Sequence, residues 1–164
     1  MEVQAIQTRY KGVHFRSRSE ARTAVFLDAC DVRWRYEVEG FNLGDSGLYL
    51  PDFHIIESIG DVCWLEIKPR SAGKEEVQKW KDLAESSGIP VIVFNADFLK
   101  PIMLNVTPST STHYLQPRKT ATDGEVIGWF MQQVSRLKGN VLKTEHAVFA
   151  ARSARFEHGQ SGAT

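Results

Sequence analysis

Charged side chains set inside strand-like apolar sequence constrain this chain more than any other feature. The run Leu48-Tyr49-Leu50-Pro51-Asp52-Phe53-His54-Ile55-Ile56 is apolar around one acid, and Val62-Cys63-Trp64-Leu65-Glu66-Ile67-Lys68 is apolar until it ends in an acid and a base. Burying such charges is costly unless something compensates them. A fold that buries both runs must therefore bring these charges together or give them a counterion. Side chains alternate faces along a strand, so Leu50, Asp52, His54 and Ile56 share one face, and Trp64, Glu66 and Lys68 share another. If the strands pair side by side, Asp52 and Glu66 approach closely enough to bridge one hard cation through oxygen, with the Ile67 carbonyl and water completing the shell. Lys68 then lies where an amine orients or deprotonates a water and offsets negative charge on a phosphate.

The elements around these runs follow from periodicity. Ser17 opens a stretch with apolar residues at Ala21, Ala24, Val25, Leu27 and Ala29, which predicts an amphipathic helix ending near Cys30. From Val32 to Phe41, Trp34, Tyr36 and Val38 alternate against Arg33, Arg35, Glu37 and Glu39, the pattern of a half-exposed strand. Turns at 40–47 lead to the Asp52 strand, and Ser58 to Asp61 turn the chain into the Glu66 strand. That strand is nearly continuous in apolar residues, as a central strand covered on both faces would be. Val77, Trp80, Leu83 and Ala84 repeat at helical spacing between Lys74 and Ser87, Gly88 caps the end, and Pro90 to Phe94 form a last buried strand. A helical crossover between the Glu66 strand and this one is the geometry of a parallel pair.

A proline-aspartate strand followed by glutamate, one apolar residue and lysine resembles the PD-(D/E)XK nuclease superfamily, which has the restriction-endonuclease-like fold. The core order of that family, helix, three-stranded meander, helix and strand in a mixed sheet, is similar to the order read here for about residues 9–100. The resemblance implies an α/β nuclease core and a magnesium site, with manganese able to substitute. It implies Asp52 and Glu66 as metal ligands with the Ile67 carbonyl, and Lys68 as the catalytic lysine. A glutamate on the first helix often joins such sites, and Glu20 in Phe15-Arg16-Ser17-Arg18-Ser19-Glu20 resembles it. Ser17 and Glu20 also form a capping box that accounts for both residues without a metal. Similar sequences occur among small nucleases of phages and mobile elements, including nuclease subunits of transposition systems.

The whole molecule offers no electrostatic pull toward nucleic acid, because twenty basic and twenty acidic residues cancel. Contact with DNA must then rest on local residues, and Arg16, Arg18, Arg70, Lys74 and Lys79 flank the motif. A solvated surface is the simpler account of several of them. For His54 a hydrogen-bonded structural role is simpler than a phosphate contact, and for Trp80 a place in the core. Cys30 and Cys63 lie far apart in apolar segments, which suits reduced thiols in a cytoplasmic setting, and the family resemblance implies the cytosol of a phage or bacterial host. The amino-terminal segment, residues 1–8, lacks the basic-then-apolar pattern of a signal peptide, and no run reaches membrane-spanning length, so no membrane partner is expected.

Residues 101–124 read as an irregular linker rich in Thr, Ser and Pro, 125–157 as a helical extension and 158–164 as a flexible tail. The extension, with Val126, Ile127, Phe130, Val134 and Leu137 at helical spacing and a second stretch from Thr144, is the candidate surface for a homodimer or another partner. Three functions fit the residues. The first is a magnesium-dependent deoxyribonuclease, which its resemblance implies is an endonuclease, the second a catalytically silent nuclease-fold binding protein such as a DNA-docking subunit or phage-encoded inhibitor, and the third a nuclease acting on RNA.

Overall fold

The computed structural model describes residues 7–57, 60–68, 72–94, 103–106, 112–113 and 141–156. A short hairpin, β1 (Thr8–Tyr10) and β2 (Val13–Phe15), precedes helix α1 (Arg18–Ala29). Strand β3 (Arg33–Tyr36) follows, then a second small hairpin of β4 (Phe41–Asn42) and β5 (Leu48–Tyr49) closed by a one-turn 3-10 helix. Next come β6 (Phe53–Glu57), β7 (Gly60–Ile67), helix α2 (Lys74–Ser87) and β8 (Val91–Phe94). The remaining described elements are β9 (Met103–Val106), β10 (Thr112–His113) and helix α3 (Val141–Ser153). Six strands form one mixed sheet in the order β10-β9-β8-β7-β6-β3, in which β7 and β8 are parallel and the other neighbours antiparallel.

Two apolar layers sandwich this sheet, and strand parity assigns residues to them. Phe53, Ile55, Cys63, Leu65, Ile67, Ile92 and Phe94 point to the face covered by α1. Trp64, Val91 and Val93 point to the opposite face, where Trp80, Leu83 and Ala84 of α2 cover them. β7 is thus packed on both faces, as its unbroken apolar run requires. The even-numbered positions Asp52, His54, Trp64 and Glu66 fall on the α2 side. His54 stacks on its cross-strand partner Trp64, with ring centroids 4.3 Å apart.

Helix boundaries follow the local signals. The Ser17 hydroxyl accepts from the Glu20 amide at the start of α1, and α2 ends on Gly88 in the left-handed conformation, φ 73°. Three sequence expectations need correction. Val38 does not continue the inward alternation of Trp34 and Tyr36. Glu37 takes φ 46°, which breaks the strand after Tyr36 and leaves Val38 48% exposed. The Asp52 strand is not continuous from Leu48, because Leu48–Tyr49 pairs with Phe41–Asn42 in its own hairpin and Asp52 occupies the bend before β6. The stretch 101–124 is not wholly irregular, because β9 pairs with β8 and carries β10, extending the sheet by two strands.

The carboxy-terminal helix is no detached appendage. Ala147, Val148 and Ala151 of α3, with Phe156 beyond it, join the core cluster that contains Ala21, Ala24 and Leu27 of α1. The first helix expected in the extension, around Val126 to Leu137, and the tail 158–164 lie outside the described residues. Among the described residues no helix is long and apolar enough to cross a membrane.

Leu65 is fully buried in the central strand, whereas Leu48 on the small hairpin is 82% exposed. Leu65→Ala should destabilise the protein by about 2–5 kcal/mol, and Leu48→Ala by less than about 0.5 kcal/mol. Urea unfolding followed by tryptophan fluorescence checks both. Equal losses would contradict the layer assignment.

Candidate active site

The bend at Pro51-Asp52 and the end of β7 meet because β6 and β7 pair in register, with Phe53 opposite Leu65. One step further along, Asp52 and Glu66 lock the strand ends together. The Ile67 amide donates to Asp52 Oδ2 at 2.8 Å, and the Asp52 amide donates to Glu66 Oε1 at 3.2 Å. Both carboxylates are buried, Asp52 at 6% and Glu66 at 2% exposure. Two acids so close, each in the other's backbone shell, cannot both ionise without compensation. Burial pushes Asp52 up to about 6; the Ile67 amide opposes that, the Glu20 charge adds to it, and Arg16 and Lys68 offset it. Burial pushes Glu66 up to about 8, aided by the charge on Asp52 and opposed by the Tyr49 hydroxyl, Lys68 and the Asp52 amide.

Glu66 has a partner that periodicity did not single out. Tyr49 on β5 hydrogen-bonds Glu66, and its hydroxyl in turn accepts from Trp80 Nε1 of α2 at 2.9 Å. Trp80 is therefore core, as expected, and also the outer member of a chain that reaches the buried acid. Burial and Glu66 together push the Tyr49 phenol up, so it stays a donor throughout the ordinary pH range.

Asp52 has a cationic partner of its own. Arg16 Nη2 meets Asp52 Oδ1 at 2.9 Å while Arg16 Nε lies 2.5 Å from Glu37 Oε1. The Arg16 backbone is fixed independently, with its amide directed at Glu20 Oε2 at 3.0 Å and the Tyr36 hydroxyl at 3.1 Å. Desolvation works against the guanidinium's charge, but Tyr36, Asp52 and Glu37 outweigh it and raise its pKa.

Glu20 sits beside this cluster rather than between the two acids. Its Oε1 accepts from the Ser17 hydroxyl at 2.7 Å, and its Oε2 from Tyr36 at 2.5 Å and from the Arg16 amide. The capping interaction with Ser17 is present, but the carboxylate reaches back to Arg16 rather than to Ser17's own amide. Burial raises the Tyr36 phenol, and its bond to Glu20 adds to the effect. Tyr36 and Glu37 were legible only as alternating strand residues, so their convergence on Arg16 had no signal in the sequence.

Lys68 lies just past β7, its amide donating to the Phe94 carbonyl at 3.0 Å. Its Nζ pairs with Glu76 Oε1 on α2 at 3.1 Å, while Glu76 Oε2 caps the helix through the Gly73 amide. Lys68 still bears on both buried acids, lowering each. Of the expected nucleic-acid contacts, Arg16 reaches Asp52, Arg18 and Lys74 are exposed, Lys79 is half-buried and Arg70 lies outside the described residues.

Among the described residues no group of three or more His, Cys, Asp and Glu side chains is gathered as a metal-holding cluster. The chemistry of the donors nevertheless fits a hard divalent cation with few protein ligands. Two buried carboxylates at adjacent strand ends offer hard oxygen donors, and burial raises both acid constants, a cost to the ionised pair that a cation relieves.

No family model matches the chain, and no curated protein matches it. Among solved structures it is similar to a protein described as a putative nuclease belonging to DUF820 from Anabaena variabilis, with 13% identity, TM-score 0.44, and coverage of 90% of this chain and 94% of that one.

The raised carboxyl constants have a defined consequence for stability. In the unfolded chain both acids titrate near pH 4, so between that value and about pH 8 the folded state holds more protons. Their contribution to stability is complete below about pH 4 and is lost as pH rises through about 6 to 8. In buffer with chelator, Glu66→Gln should match the parent near pH 5 and exceed its melting temperature at pH 9. A parent that gains on the variant between those pH values would contradict the assignment.

Proposed function

We propose that this chain is a metal-dependent nuclease that hydrolyses phosphodiester bonds in DNA, with Asp52, Glu66 and Lys68 at its centre. The observation that carries the reading is the interlocked, buried Asp52–Glu66 pair at the end of a central strand, with Lys68 two residues on. A structural role alone does not require two acids in one apolar layer, since isosteric apolar residues would pack there without the desolvation cost. The resemblance of Pro51-Asp52 and Glu66-Ile67-Lys68 to the PD-(D/E)XK motif supports the same reading.

In this reading Asp52, Glu66 and the Ile67 carbonyl hold Mg2+ or Mn2+, which supplies Lewis-acid activation of the phosphodiester and of a water. Lys68 orients the attacking water and offsets charge on the phosphate, and its ion pair with Glu76 keeps the ammonium at the strand end. Tyr49 and Trp80 fix the Glu66 rotamer. Glu20 adds negative field near Asp52 and anchors the backbone that carries Arg16. Arg18, Arg70, Lys74 and Lys79 are the remaining candidates for phosphate contacts, internal cleavage and a phage or mobile-element origin follow the motif resemblance, and the carboxy-terminal region is the candidate partner or homodimer surface. The cytoplasm is the proposed compartment, consistent with two buried free cysteines.

One observation favours the alternative of a silent binding protein. Asp52 already has the Arg16 guanidinium and Lys68 already has Glu76, so the charges can close on one another.

Cleavage separates the two. Purified protein should cut one or more of single-stranded, duplex and branched DNA with Mg2+ or Mn2+ and stop with chelator, and matched RNA substrates decide the sugar preference. Asp52→Ala and Lys68→Ala should each lose at least about a hundredfold in rate. A folded preparation that cuts none of these substrates, and takes up no cation dependent on Asp52, would favour the silent protein.

A further inference from the structure

Among the described residues Arg16 is the basic side chain bonded to the buried acid pair, and it is far more exposed than the acid it meets. The guanidinium divides its contacts between Asp52, whose side chain is 9% exposed, and Glu37, whose side chain is 23% exposed, while the Arg16 side chain itself is 56% exposed. Its backbone is clamped by Glu20 and Tyr36, so the side chain can swing without disturbing the β2–α1 connection. Glu37 is held in the left-handed region at φ 46°, an unfavourable conformation for this residue, by a 3.0 Å bond from its amide to the Asp52 carbonyl. That conformation keeps a second carboxylate within reach of the guanidinium when its bond to Asp52 is given up. A planar guanidinium also suits a phosphate at least as well as a carboxylate.

We infer that Arg16 is a resident counterion of Asp52 that a divalent cation must displace, and that a substrate phosphodiester draws it away, so that phosphate binding and cation loading are coupled. This rests on the proposed metal site but adds an exchange that the site does not require. Without substrate, the guanidinium competes with the cation for Asp52 Oδ1. With a phosphodiester present, the guanidinium bonds the phosphate while Nε stays near Glu37, and Asp52 Oδ1 is released. Arg16 is then a positioning residue for the cation and a binding residue for the phosphate. The arrangement disfavours cation loading, and hence hydrolysis, until nucleic acid is in place. By linkage, the cation must tighten DNA binding by the factor by which DNA tightens cation binding.

The test is calorimetric titration of Ca2+, a hard cation with the same preference for oxygen ligands, into the full chain with and without a short DNA duplex. Without DNA, Arg16→Gln should bind Ca2+ roughly five- to tenfold more tightly than the parent, within the usual range of site-to-site coupling. With DNA present that difference should vanish, so the coupling factor shrinks by the same amount. Arg33→Gln removes an exposed charge on β3, at a residue with no part in the proposed site, and should leave Ca2+ affinity unchanged. If Arg16→Gln does not fold, Arg16→Lys, which keeps the charge but loses the fork, should shift affinity in the same direction to a smaller extent. Equal tightening in the Arg16 and Arg33 variants, or a difference that persists with DNA, would show general electrostatics and overturn the exchange. No change in Arg16→Gln while Asp52→Asn abolishes Ca2+ uptake would overturn the exchange and leave the metal site standing. Absence of any Asp52-dependent uptake, with or without DNA, would instead overturn the metal site on which the inference rests.

Discussion

The two hydrogen bonds that tie Asp52 to the end of β7 organise the rest of the molecule. Each uses one residue's backbone amide and the other strand's carboxylate, so the same contacts that fix strand register also fix the acids. Antiparallel pairing of β6 and β7 places Phe53 against Leu65 under α1, and the next step along both strands must then place Asp52 by Glu66 on the opposite face. Side-chain alternation makes this unavoidable: a one-residue slip would bury Phe53 with the acids and drive Asp52 into the α1 core. The acids and the apolar layer therefore specify each other.

Around that junction the small elements have a clear physical purpose. The β4–β5 hairpin carries Tyr49 to Glu66, and α2 brings Trp80 to Tyr49 and Glu76 to Lys68. From the other side, the β2–α1 connection brings Arg16 to Asp52, held by Glu20 and Tyr36. The side chains that reach the acid pair thus come from two sides, Tyr49 and Lys68 backed by α2 and Arg16 backed by Glu20 and Tyr36. Rigid support of this kind is what keeps a charged constellation in one geometry despite its desolvation cost.

Much of the frame was legible in the sequence, and the reason is that periodicity records burial. The Ser17 cap, the apolar stripe of α1, the limits of α2, the Gly88 cap and the parallel β7–β8 pair all follow from local patterns that the tertiary structure obeys. Strand parity likewise placed Asp52 beside Glu66. Legibility ended where one residue's backbone conformation decides the outcome. Alternation could not reveal that Glu37 turns left-handed, which ends β3, exposes Val38 and aims a carboxylate at Arg16. Nor could it separate Leu48-Tyr49 from the Asp52 strand, because both have the same apolar character and the division depends on which partner each finds. β9 was hidden for the same reason in a stretch dominated by turn-forming residues.

Arg16 shows how a charge can be at once stabilising and provisional. Its bond to a buried carboxylate is of the charge-assisted kind and is strong where water is scarce. Yet burial raises Asp52 and Glu66 even with Arg16 in place, so one guanidinium on one oxygen does not offset what the pair loses by desolvation. A fold that needed only to quench the acids would bury the cation with them, whereas here the acids are buried and the cation's side chain is more than half exposed. The asymmetry leaves the negative charge fixed and the positive charge free to be replaced. A divalent ion brings twice the charge to the same oxygens and is the stronger counterion wherever its hydration can be partly exchanged for carboxylate. Desolvation of the two carboxylates, which a bound cation relieves, would give such an exchange its driving force, and the exposure of the Arg16 side chain would give it a path.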